Sequence, residues 1–167
     1  IGVGGAGMSA IAEVLVSMGH TVSGSDLKAS SGLDRLAALG VAVSVGHSAN
    51  QVGEAAVVTR STAVPDTNPE CRAALERGIP LYGRPKILGA IRALRQTIAV
   101  AGTPGKTTTS SMLALVLREA GFRPSLLIGG DVNASGTGAA WAEGDLTGVA
   151  GEEDRRSVTA RTTGAGP

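Results

Sequence analysis

The sequence predicts an α/β fold, a parallel sheet covered by helices and followed by the opening of a second α/β unit. Three observations predict it. Short apolar runs alternate with helical segments through residues 1–94, the pattern of parallel strands joined by helices. A glycine run from Gly2 to Gly7 opens the chain ahead of the first helical segment. A second strand, tight loop and helix start, "IAVAGTPGKTTT", begins at Ile98.

The elements follow in order. Met8, Ile11, Leu15 and Met18 recur at offsets of three and four, which puts them on one helical face, and Gly19 is the stop. "HTVSGSD" is a short strand ending at Asp26. "GLDRLAALG" is a helix presenting Leu33, Leu36 and Leu39, closed by Gly40, and "VAVSVG" and "AAVVTRS" are two further strands. Asn68 and Pro69 form an N-cap and a first-turn proline for "ECRAALERG". "IPLYG" is a strand, and Pro85 begins a helix through Ile87, Leu88, Ile91 and Leu94. The second unit starts at Arg95. Its helix carries Met112, Leu115, Val116 and Glu119 on its faces and ends at Gly121, and "PSLLIGG" is the next strand. Periodicity fades from Asp131, and "EEDRRSVTARTTGAGP" has none. The chain thus divides into residues 1–94, 95–150 and an atypical, disordered tail at 151–167.

Composition excludes several classes of function. With 43% hydrophobic and 17% charged residues, the chain is not generically disordered. Tyr82, Phe122 and Trp141 are its only aromatics, so the core is aliphatic and no stacking platform for single-stranded nucleic acid is expected. A net charge of +1 steers it towards neither nucleic acid nor an anionic membrane. Cys71 stands alone, against a disulfide scaffold or thiolate zinc site and in keeping with a reducing compartment. No apolar stretch approaches the ~20 residues of a membrane span, and no signal peptide is legible.

Two glycine motifs carry the chemistry. In "AGTPGKTTT", residues 101–109, Gly102, Thr103 and Gly105 supply backbone N–H groups for an anion cradle at a helix N-terminus. Lys106 would reach the outer phosphates of a nucleotide, and Thr107 or Thr108 would complete a magnesium shell. Val100 stands where the full eight-residue pattern has glycine; the plain alternative is a strand-to-helix turn with a solvated lysine. The second motif is G-x-G-x-x-G at Gly2, Gly4 and Gly7, with Asp26 at a strand end 19 residues beyond, where a ribose-binding acid stands in dinucleotide sites. Alone it supports an NAD- or FAD-binding Rossmann unit. The same geometry can hold the diphosphate of a nucleotide sugar, or merely let helix and strand pack closely. His20 is expected to end the first helix, whereas His47, at a strand's end, is only a lesser candidate for the edge of the substrate pocket; no metal centre or Ser-His-Asp arrangement is expected from their spacing.

"IGVGGAGMSAIAEVL", "GHTVSGSDLK", "RLAALGVAVSVGH", "ERGIPLYGR" and "IAVAGTPGKTTT", in this order, resemble the Mur ligases over roughly residues 1–145. The resemblance implies a Rossmann-like UDP-sugar-binding domain at 1–94, its first strand truncated, and a partial P-loop ATP-binding domain at 95–150. It implies UDP-sugar contacts from Gly2, Gly4, Gly5 and Gly7, with Asp26 near that pocket. Ser61 and Thr62, just past a strand's carboxyl end, are candidate polar contributors, with a solvated βα-loop as the plain alternative. It implies ATP contacts from Gly102, Thr103, Gly105, Lys106, Thr107 and Thr108, with Lys106 catalytic and Thr107 on magnesium (Mg2+). The implied reaction is ATP-dependent ligation of L-alanine to UDP-N-acetylmuramate in cytoplasmic peptidoglycan synthesis. The lactyl carboxylate is activated as an acyl phosphate, because a carboxylate oxygen is a poor leaving group, and the amine of L-alanine then attacks.

The chain departs from that family at Pro104, where His or Asn is usual. It reads "LTGVAGEEDRRS" where an apolar strand and an E-A-D-E-S-D cluster are expected. Glu152, Glu153 and Asp154 keep the acidity, while Gly148 and Gly151 should weaken the strand. Much of the central domain and all of a third are missing, so the chain is expected to be an N-terminal fragment, inactive alone. The rival readings are an NAD-binding oxidoreductase module, which leaves the P-loop unexplained, and a non-catalytic UDP-sugar-binding remnant.

Overall fold

Helix α1 (Ala6–Ser17) begins within the glycine run, with Gly7 already in its first turn, and buries Met8, Ile11 and Val14. Leu15 and Met18 pack against the same cluster, as their spacing predicts. Gly19, at φ +89°, turns the chain out of the helix, and the His20 N–H closes the end on the Leu15 carbonyl. His20 therefore ends the helix through its backbone. The computed structural model describes residues 1–100, 105–127, 139–140, 142 and 146–150.

Strand β1 (Ser23–Asp26) leads to α2 (Ser31–Ala38), whose N-cap Ser30 accepts the Leu33 N–H. Strand β2 (Ala42–Val45) returns parallel to β1, with Ser23 opposite Ala42 and Asp26 opposite Val45. A 3-10 turn at Ala49–Val52 precedes β3 (Val58–Arg60). Helix α3 (Pro69–Glu76) starts at Asn68, whose side chain accepts from the Glu70 and Cys71 N–H groups. Strand β4 (Leu81–Gly83) pairs parallel with β3 and feeds α4 (Arg84–Ala93).

Residues Ile1–Val3 join the two strand pairs. The Ile1 amine donates to the Thr59 carbonyl at 2.6 Å, and the Ile1 carbonyl accepts the Ser61 N–H at 2.9 Å. On the other side, the Gly2 and Val3 N–H groups both donate to the Ser25 carbonyl. This short segment occupies the central position between β1 and β3, with the slanted bonding of a parallel ladder on its β3 side.

The core is aliphatic. One group packs α1 against Ile91 of α4, a second sets Leu33, Leu36 and Val41 against Val3 and Ala12, and a third gathers Ile1, Val58, Cys71 and Ala74. Two leucines depart from expectation: Leu39 is 46% and Leu94 60% exposed. Each is the C-cap of its helix, where the chain turns away from the buried stripe.

The second sheet contains β5 (Gln96–Val100), β6 (Ser125–Leu127), β7 (Ala139–Ala140) and β8 (Leu146–Ala150), in the order β5-β8-β6-β7. Strand β8 is parallel to both β5 and β6. Gly148 was expected to weaken this strand, yet it lies opposite Ile98 on one side and Leu126 on the other. Backbone pairing along both edges holds a strand whose glycine offers no side chain to pack. Helix α5 (Lys106–Glu119) buries Ser110 and Ala114 but leaves Met112, Leu115 and Val116 exposed. Gly151, the acids Glu152, Glu153 and Asp154, and the rest of the tail lie outside the described residues. No described helix is long and apolar enough to cross a membrane.

Candidate functional site

The glycine turn before α1 is fastened by groups far away in sequence. The Asp26 carboxylate, at the carboxyl end of β1, accepts the Gly4 N–H at 2.9 Å. A methyl group on Gly4 would itself lie 2.9 Å from Asp26 Oδ2, so only glycine admits this approach. Gly2 adopts φ +79°, and a methyl there would stand 2.9 Å from the Ser61 side chain. Gly7 lies directly under the Arg84 guanidinium at the start of α4. The turn thus brings Gly2, Gly4, Gly7, Asp26 and Ser61 together.

Gly5 is the N-cap of α1, with no side-chain cap and no acid in the first turn, an arrangement open to an anion. Asp26, expected beside a ribose, serves first as the anchor of the turn. Arg60 braces the neighbouring loop, donating to the Val64 carbonyl and pairing with Asp66 at 2.6 Å. Thr62 is exposed on that loop, and no hydrogen bond ties it to the glycines among the described residues.

Beneath the turn lies a buried polar cluster that sequence reasoning missed. Ser25 Oγ donates to Glu70, lying 2.7 and 2.9 Å from its two oxygens, and His47 Nδ1 is 2.7 Å from Glu70 Oε1. An ionised carboxylate only accepts, so the Nδ1 atom of His47 carries the proton of that bond. Ser25 is 1% exposed, and its hydroxyl proton goes to the carboxylate rather than to a ring nitrogen. It is not placed as a nucleophile. The available signal was the Asn68-Pro69 helix start, which puts an acid at the favourable end of α3. Arg84 was missed too; its signal was a cation at the first position of a helix directly after a strand.

The second turn is simpler. Gly105, at φ +104°, is the N-cap of α5 without a side-chain cap. Lys106 is the first helical residue and half-buried, while Thr107 and Thr108 are exposed. The Thr109 N–H returns to the Gly105 carbonyl, and Ser111 Oγ donates to the Thr107 carbonyl. A left-handed glycine, a lysine and two hydroxyls at a helix start suit a phosphate and its counter-ion. Gly102, Thr103 and Pro104 lie outside the described residues.

The chain is an α/β protein with a glycine turn at the head of α1 and another at the head of α5, and comparison with known families makes it specific. The model of the Mur ligase family, catalytic domain, matches residues 1–96, and the chain belongs to this family. It is similar to UDP-N-acetylmuramate–L-alanine ligases: 50% identical over 155 residues to that of Solidesulfovibrio magneticus, covering 92% of this chain and 34% of the relative. To that of Rubrobacter xylanophilus it is 52% identical over 158 residues, covering 95% and 35%. Among solved structures, the UDP-N-acetylmuramate–alanine ligase of Thermotoga maritima superposes with a TM-score of 0.81 at 31% identity, covering 89% of this chain and 36% of that one. A murein peptide ligase from Psychrobacter arcticus gives 0.82 at 26% identity, covering 90% and 36%. The chain spans about a third of the length of the curated relatives it matches.

Proposed function

We propose that residues 1–94 are the UDP-sugar-binding domain, and residues 95–150 the opening of the ATP-binding domain, of a ligase that joins L-alanine to UDP-N-acetylmuramate. The reaction belongs to peptidoglycan precursor synthesis in the cytoplasm. The observation that carries this reading is the pair of glycine turns, one fastened by Asp26 ahead of α1 and one heading α5 with Lys106.

Gly2, Gly4, Gly5 and Gly7 keep side chains away from the α1 N-terminus, so that backbone N–H groups meet the diphosphate of the UDP-sugar. Ser61, against Gly2, adds a hydroxyl beside it, and Thr62 follows on the same loop. Gly102, Thr103, Gly105, Lys106, Thr107 and Thr108 hold ATP, with Thr107 on magnesium. When bound, ATP with Mg2+ supplies the phosphoryl group that makes the lactyl carboxylate reactive towards the amine of L-alanine. Lys106 is the catalytic residue in this chain, its ammonium placed against negative charge that builds up on the transferred group. Residues 1–167 bind both ligands but do not turn over. Relatives are about three times as long, and misplacing a reacting group by about 1 Å costs on the order of a hundredfold in rate.

Equilibrium binding of UDP-N-acetylmuramate, ATP and NAD to the purified chain tests the reading. Saturable binding of the first two supports it. Binding of NAD without UDP-N-acetylmuramate would overturn it in favour of a dinucleotide module.

A further inference from the structure

We infer that Glu70 is a positioning residue for the UDP-sugar site: through Ser25 and His47 it holds the carboxyl ends of β1 and β2 where they carry the glycine turn. This rests on the reading of that turn as the UDP-sugar cradle.

The connections are short. Glu70 is 4% exposed, and its carboxylate binds Ser25 Oγ and His47 Nδ1 at once. The Ser25 carbonyl accepts the Gly2 and Val3 N–H groups, and the next residue, Asp26, holds Gly4. The Asp26 carbonyl accepts the Gly46 N–H, immediately before His47. A shift of Glu70 therefore reaches the glycine turn by two routes, through Ser25 and through the Gly46–His47 corner. Glu70 is itself fixed, because its N–H is capped by Asn68 Oδ1 at 2.9 Å and its charge lies at the positive end of α3.

Stability alone gives no reason for this arrangement. A buried carboxylate loses its water, and a well-packed apolar side chain in its place is often as stable or more so. What a carboxylate adds is direction. It fixes the Ser25 hydroxyl and the His47 ring in one orientation, with the ring proton on Nδ1, much as outer carboxylates orient histidines at metal centres. Nothing in the assignment of the glycine turn requires Glu70, which adds a third element, α3, to the machinery of the site.

The test uses the 167-residue chain with Glu70→Ala, Glu70→Gln and Ser25→Ala. Calorimetry gives affinities for UDP-N-acetylmuramate and ATP, and nitrogen-15 NMR reads the His47 tautomer in the free protein. The wild type should show Nδ1–H. Glu70→Ala should weaken UDP-N-acetylmuramate by on the order of tenfold to a hundredfold, leave ATP affinity unchanged and move the ring proton to Nε2. Glu70→Gln, which keeps an acceptor oxygen, should recover most of the affinity, and Ser25→Ala should fall between. Should Glu70→Ala fail to fold, the Gln and Ser25 variants carry the same comparison. Wild-type affinity in the variants, or equal losses for both ligands, would overturn the inference while leaving the cradle intact. A wild-type chain that ignores UDP-N-acetylmuramate would overturn the cradle reading, and this inference with it.

Discussion

The glycine turn ahead of α1 and the one ahead of α5 differ in what holds them. The first is gripped by Asp26 on Gly4, the Ser25 carbonyl on Gly2 and Val3, Ser61 against Gly2, and Arg84 over Gly7. The second, among the described residues, is held by its own helix, through the Thr109 N–H on the Gly105 carbonyl. The helices differ likewise: α1 buries a continuous stretch from Met8 to Val14, whereas α5 buries only Ser110 and Ala114. A cradle can be shaped by contacts gathered along a whole domain or written into a few consecutive residues. The turn ahead of α1 is of the former kind, set in advance by the fold.

Substitutions should expose that contrast, the core first. Leu36 is fully buried against α1 and Val41, so Leu36→Ala should cost about 2–5 kcal/mol in urea unfolding. Met112→Ala on α5, at 62% exposure, should stay within about 0.5 kcal/mol. Equal effects would erase the difference between the regions. Lys106→Ala should weaken ATP by on the order of a hundredfold or about 2.7 kcal/mol and leave UDP-N-acetylmuramate unchanged by calorimetry. Loss of both would show that the turns are coupled.

Gly2→Ala combines a left-handed backbone with a methyl 2.9 Å from Ser61. It should lower stability by about 1–3 kcal/mol and weaken UDP-N-acetylmuramate but not ATP. The smallest effect concerns pH. Burial raises the Cys71 thiol pKa above its ordinary 9.0. The folded state therefore keeps a proton that the unfolded chain gives up. Stability from this group is complete below pH 9.0 and lost as pH rises towards the raised folded value. Cys71→Ala should flatten that alkaline decline in chemical unfolding.

This contrast also governs what the sequence makes legible. The α5 turn can be read from nine adjacent residues because its chemistry is local. The helices of the first unit announce themselves through Asn68 as a cap and through glycines such as Gly19 and Gly40, which adopt positive φ at the helix ends. The Ser25–His47–Glu70 cluster has no such local mark: its members lie 22, 23 and 45 positions apart and meet only after the sheet forms. Arg84 is hidden for the same reason, since its closeness to Gly7 depends on α4 packing beside α1. Strand β8 pairs along both edges, an arrangement that side-chain pattern cannot register.

The place of β8 between β5 and β6 has a consequence for how the protein is made. β5 and β6 share no hydrogen-bonded edge, and the strand that unites them begins at Leu146, 19 positions after β6 ends at Leu127. On a ribosome adding ~5–20 residues per second, the nascent chain spends on the order of one to four seconds with those two edges waiting for a partner. The first sheet has no such delay, since each of its strand pairs is complete by Gly83. Synthesis therefore delivers a finished first sheet well before the second can close, and the bare edges of β5 and β6 are where a chaperone or a stray strand would find the growing chain.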